Sequence, residues 1–90
     1  MRPSMRATHR SGTATSTPTK VTTRRGRGFR LLIRNTEAAG GETLNVSFDS
    51  GNTYYPIPPQ EELKEDIAFH FFYVTGTGLG AGYKAIILEG

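Results

Sequence analysis

Leu44-Asn45-Val46-Ser47-Phe48-Asp49-Ser50-Gly51-Asn52 decides the fold class of this chain. Leu44, Val46 and Phe48 alternate with Asn45 and Ser47, the period of a strand with one buried face. Asp49-Ser50-Gly51-Asn52 follows as a tight turn, because Gly and Asn tolerate positive φ. Thr53 to Ile57 is the next run, and Pro58 and Pro59 end it by removing two backbone donors.

The same pattern extends in both directions. Phe29 to Arg34 alternates with Phe29, Leu31 and Ile33 on one face and Arg30 and Arg34 on the other. Glu37 to Gly41 supplies a turn. Gln60 to Asp66 is expected to be an acidic loop with at most one helical turn, since Pro-Gln-Glu-Glu suits a helix start. Ile67 to Thr75 is a strong β-run, Thr77 to Gly82 a glycine-rich hairpin, and Tyr83 to Leu88 the last strand. Five to seven short strands spaced near ten residues predict an all-β fold, a small antiparallel β-sandwich. Its expected core is Leu31, Ile33, Leu44, Val46, Phe48, Ile57, Phe72, Val74, Ala85 and Ile87.

Charge divides the chain at about the same place as the strand pattern. Residues 1–36 hold no Asp or Glu. They carry Arg2, Arg6, Arg10, Lys20, Arg24, Arg25, Arg27 and Arg30, with Arg34 at the border. Residues 37–90 carry all eight acids and only Lys64 and Lys84 as bases, so a net charge of +3 hides two opposed halves. Residues 1–23 are rich in Thr, Ser, Arg and Pro, with Met1, Met5 and Val21 as the only large apolar residues. Such a stretch buries too little surface to offset its ordering entropy. The expected organisation is therefore a basic extended arm over 1–27 and a sandwich domain over 28–90. In this scheme the eight basic residues grip a negative partner, and deleting the arm leaves the body folded. The body alone is small enough to be marginal, and no cysteine is present to staple it. Support from a partner or from self-association is expected.

Several chemistries are disfavoured. No apolar run approaches the roughly 20 residues of a membrane helix, and the N-terminal stretch has no apolar core of a secretory signal. Its Arg- and Ser-rich composition resembles a transit peptide but lacks amphipathic periodicity. Gly76 to Gly82 superficially resembles a phosphate loop, yet a strand pattern follows it where a helix N-terminus is needed. His9 and His70 are the only histidines, too few for a metal site without cysteine, and His70 is expected to be a partly packed structural residue. The acids Glu61, Glu62, Glu65 and Asp66 read as a solvated loop or a contact for a basic partner. Asn45-Val46-Ser47 matches a glycosylation sequon but lies within a strand. No catalytic, cofactor or metal site is expected. Phe69, Phe71 and Tyr73 point one way and His70, Phe72 and Val74 the other, so both faces are bulky: either the strand is covered on both sides, or one face forms an interface. Phe69, Phe71, Tyr73 and Tyr54 are therefore candidate interface residues. Arg24-Arg25-Gly26-Arg27-Gly28 resembles arginine–glycine segments that bind nucleic acid, although only Phe29 is at hand for stacking.

The stretch Leu44 to Pro58, followed by Phe72-Tyr73-Val74-Thr75-Gly76 and Tyr83-Lys84-Ala85-Ile86-Ile87-Leu88, is similar to small β-sandwich accessory proteins of tailed-phage virions. The similarity spans roughly Phe29 to Leu88 and departs from that pattern at Pro59 to Glu62. It implies a non-enzymatic structural protein of the virion: a capsid decoration or cement protein, or a head–tail or tail subunit. The implied partners are virion proteins and further copies of the chain, with the arm clamping a neighbouring subunit. The alternative is a nucleic-acid-binding protein that lays the arm on phosphates.

Overall fold

The computed structural model describes residues 5–24 and 26–90. Among these residues the fold is all-β, with eight strands: β1 (Arg6–Ala14), β2 (Thr19–Thr22), β3 (Gly28–Asn35), β4 (Leu44–Ser47), β5 (Tyr55–Ile57), β6 (Glu62–Glu65), β7 (Phe71–Gly76) and β8 (Ala81–Glu89). They form two four-stranded sheets, ordered β1-β8-β3-β6 and β2-β7-β4-β5, and every neighbouring pair is antiparallel. Strand 1 pairs with 8, 2 with 7, 3 with 6 and 4 with 5. The chain is thus one long hairpin, folded back on itself at the β4–β5 turn and wound into a sandwich. That winding is the jelly-roll arrangement.

The antiparallel sandwich expected from the sequence is present, but the strand inventory and the domain boundary need correction. Residues 6–22 are extended and basic, yet they are not a separate arm. They supply one strand to each sheet: β1 pairs with β8 over nine residues, from Arg6 opposite Glu89 to Ala14 opposite Ala81, and β2 pairs with β7. Ala14, Val21 and Thr8 are buried. The physical reason is that β8 already carries the bulk. Gly12 lies under the Tyr83 ring, where an added Cβ would come within 3.3 Å of the hydroxyl. Thr8, Gly12 and Ala14, the small residues of the inward row of β1, complete a layer that Tyr83 and Ile87 begin.

Nine of the ten expected core residues are buried: Leu31, Ile33, Leu44, Val46, Ile57, Phe72, Val74, Ala85 and Ile87. Phe48 is only half-buried and packs against that cluster. Its ring meets Phe69 at 5.7 Å and Phe72 at 6.3 Å between centroids, and Phe69 meets Phe72 edge-on at 5.9 Å. Rings at these spacings favour tilted and edge-to-face packing. Phe29 leaves the inward row of Leu31 and Ile33 because a bulge shifts the register between Gly28 and Arg30, and its ring is exposed. Gly28 occupies the inward position there. It exchanges backbone hydrogen bonds with Phe69 at 2.7 and 3.0 Å, and any Cβ would lie 2.6 Å from the Phe69 ring.

Gln60 to Asp66 contains a strand, β6, where a loop or helical turn was expected. Its residues 62–65 pair with β3, with Leu63 opposite Ile33. One apolar side chain suffices because β6 is an edge strand. Thr77 to Gly80 is not a hairpin but a corner that carries the chain from one sheet to the other. Gly76, entering it, has no room for a side chain: a Cβ would stand 2.2 Å from the Ala14 carbonyl oxygen.

Two polar clusters fix the connections. Buried Asn35 donates from Nδ2 to the Glu42 and Ile57 carbonyls, both at 2.9 Å, and accepts the Glu37 amide at Oδ1. It ties β3 to both ends of the β4–β5 hairpin. In the β4–β5 turn, the Ser47 hydroxyl donates to Asp49 at 2.7 Å and accepts the Gly51 amide, while Asp49 accepts the Thr53 amide at 2.8 Å. Ser50 and Gly51 both take positive φ, as a turn at this position demands. The Ser47 hydroxyl, then the Thr53 amide, hold the Asp49 carboxyl below its ordinary value of 3.8.

A chain lacking residues 1–22 loses β1 and β2 and leaves Ile87 and Phe72 bordering open edges. Circular dichroism on heating should show no cooperative transition for it, and a cooperative transition near that of the full chain would contradict the topology. For Asp49, the folded value lies below the unfolded one, so its stabilisation is complete above the unfolded value and is lost as pH falls through the folded one. The melting temperature of Asp49→Asn should therefore lie below that of the unaltered chain at neutral pH, with the gap closing below about pH 3.8.

Candidate interaction surfaces

The outer face of the β1-β8-β3-β6 sheet has an apolar centre. Leu32 on β3 stands opposite Ile86 on β8, and Leu88 lies one step along the same face. Ile86 is exposed and the two leucines are half-buried. Four cations frame them: Arg30 and Arg34 on β3, Lys64 on β6 and Lys84 on β8. Glu62, opposite Arg34, is an acid on this face. Arg30 is also ion-paired with Asp66. The surface dips into two shallow depressions, about 460 Å³ between His9, Leu32, Arg34 and Ile86 and about 410 Å³ between Arg30, Leu32, Lys64 and Leu88. They are open on the sheet surface. The sequence pattern placed Arg30 and Arg34 on this outward face, but its apolar centre needs β8 beside β3 and was not legible.

The other outer face carries the aromatic pair. Phe71 and Tyr73 lie on β7 with ring centroids 5.9 Å apart at 84°, an edge-to-face contact. The Lys20 ammonium on β2 sits 4.4 Å from the Phe71 ring centre, a cation–π contact. Both rings are half-buried and face outward, as the alternation predicts. Phe69 does not join them. A bend at His70 breaks the alternation, so Phe69 turns inward and is 7 % exposed within the core. His70 is exposed at that bend, not packed, and its carbonyl accepts the Thr23 amide at 2.9 Å. Tyr54 lies in the β4–β5 loop, half-buried, with its hydroxyl close to Gly51.

The basic residues expected to act as one arm are spread over the sandwich. Arg6 and Arg10 lie on β1, Lys20 on β2, Arg24 and Arg27 in the β2–β3 connection, and Arg30 on the outer face of β3. Arg2 and Arg25 fall outside the described residues. The backbone of Arg24 is anchored: its amide donates to buried Glu89 at 2.8 Å, which joins the connection to the end of β8. Among the described residues no group of three or more His, Cys, Asp or Glu side chains converges. Comparison with family models, curated proteins and solved structures finds no match for this chain.

Phe72→Ala should cost about 3–5 kcal/mol, the range for deleting a buried ring, while the outward Phe71→Thr should cost about 1 kcal/mol or less through its lost contacts. Urea titrations of the two variants check the assignment of faces. Equal losses would place Phe71 in the core.

Proposed function

We propose that this chain is a structural protein of a phage particle, a capsid decoration or cement protein or a head–tail or tail subunit, that works by contact. The observation that carries the proposal is the construction of its two outer faces. One presents Leu32, Ile86 and Leu88 within a frame of four cations, and the other presents Phe71 and Tyr73 beside Lys20. Apolar centres with polar rims are the anatomy of protein contact surfaces. The jelly-roll winding is compatible with this role, since it serves capsid and lectin domains among others, but a fold alone does not assign one. The likeness of residues 44–58 to virion accessory proteins points the same way.

The clamp proposed for the N-terminal segment changes in kind. Because β1 and β2 belong to the sandwich, the cations that reach a neighbouring subunit are the exposed Arg6, Lys20, Arg24 and Arg27. They act from a rigid frame, which lowers the ordering entropy that a free arm would lose on contact.

A nucleic-acid role has one observation in its favour, the row Arg30, Arg34, Lys64 and Lys84 on a single face. The Phe71–Tyr73 pair lies on the opposite sheet, and on this sheet Phe29 is the exposed ring beside the row, so phosphate contacts here have little stacking to support them.

Density-gradient fractionation of phage particles carrying a tagged copy of the chain tests the proposal. The chain should band with intact particles, and duplex DNA should bind weakly at physiological salt. A chain that stays at the top of the gradient would contradict a particle role, and tight DNA binding lost steeply with salt would move the assignment to phosphate.

A further inference from the structure

The two edges of the β1-β8-β3-β6 sheet carry opposite charge. At one edge β1 brings Arg6 and Arg10, with Arg24 beside Arg6, and the sequence holds no acid between residues 6 and 24. At the other edge β6 lies within Glu61, Glu62, Lys64, Glu65 and Asp66. Neither edge is paired to a further strand of the described chain, so each presents backbone N–H and C=O groups outward.

We infer that copies of this chain associate head to tail, with β1 of one copy adding to β6 of the next. Resting on the assembly role proposed above, this specifies how copies meet. Three features of the sheet support it. First, strand direction is right. β1 and β8, β8 and β3, and β3 and β6 are each antiparallel, so β6 runs opposite to β1. Rotating a copy about an axis parallel to the strands sets its β1 antiparallel to the first copy's β6, which continues the alternation of the sheet. Second, the faces match. Glu65 and Leu63 share the inward face of β6, being opposite buried Leu31 and Ile33. Arg6, Thr8 and Arg10 share the inward face of β1, being opposite Glu89, Ile87 and Ala85. Directly opposed residues in an antiparallel pair share a face, so Glu65 meets an arginine when it stands opposite residue 6 or residue 10.

Third, charge selects against like edges. Two copies of β1 paired about Thr8 would set Arg6 opposite Arg10 twice. Two copies of β6 would bring together two segments that each hold four acids and one lysine. Like charges in opposed positions are destabilising. A head-to-tail contact of this kind is heterologous, and it closes into a ring when the rotation per copy divides a full turn.

Sedimentation velocity of the full chain, over a range of concentration and salt, tests the inference with two charge-reversed variants. Glu62→Lys with Glu65→Lys gives a copy with two basic edges, and Arg6→Glu with Arg10→Glu gives a copy with two acidic edges. The unaltered chain should associate and should dissociate as salt rises. Each variant alone should remain monomeric with a cooperative melt, and an equimolar mixture of the two should recover association. A monomeric unaltered chain at every concentration would overturn the inference. So would association that salt does not weaken, that persists in either variant alone, or that fails to return in a mixture of folded variants. A chain that bands with particles but fails here keeps its particle role and loses the edge contact.

Discussion

The pairing of β8 with both β1 and β3 is the constraint on which the rest of the molecule depends. β8 is a nine-residue strand whose inward residues Ala81, Tyr83, Ala85, Ile87 and Glu89 are all buried. Tyr83 and Ile87 need neighbours on both sides to be covered, and the two neighbours divide the task by size. β3 brings Leu31 and Ile33, whereas β1 brings Thr8, Gly12 and Ala14. Because one neighbour comes from before residue 15 and the other from after residue 27, the chain must cross between sheets, and β2 is the strand laid down on the way. The long hairpin winding follows from that requirement. Asn35 and the Glu89–Arg24 bond then hold the crossings in place with hydrogen bonds that a buried polar side chain must make.

The sequence displayed those parts of the fold in which one strand carries its own apolar alternation. β3, β4, β7 and β8 do so, and their inward residues are the core. The parts that stayed hidden share a physical cause. β1 buries only Thr8 and Ala14, in an inward row that also holds Arg6 and Arg10, so it shows no apolar alternation. β6 has Leu63 alone among charges, which is how an edge strand is protected from indiscriminate pairing. Thr-rich β-propensity in residues 13–23, with Val21, was the available signal for β2. Phe69 illustrates the reverse case: the alternation was visible, but the bend at His70 that inverts it is not encoded by any glycine or proline.

The candidate surfaces show the same division. Phe71 and Tyr73 were legible because two large rings two residues apart share a strand face. The cluster of Leu32, Ile86 and Leu88 draws on strands more than fifty residues apart and exists only in the folded sheet. Charge, which in the sequence resembles an arm set against a body, becomes in the fold a difference between the two edges of one sheet. The same eleven bases and eight acids thus change meaning once β1 is known to lie across the sheet from β6. An arm would reach for an acidic partner at a distance, whereas a charged edge sets the direction in which a neighbour is received.

The account rests on β1 being an integral strand, and amide hydrogen exchange of the full chain tests this directly. At high salt, where copies separate, amides of residues 6–14 that bond to β8 should exchange as slowly as those of residues 81–89, alternating along β1 with fast amides that face outward. Uniformly fast exchange across residues 6–14, beside protected amides in β3, β4 and β7, would contradict the account and return the segment to a free arm.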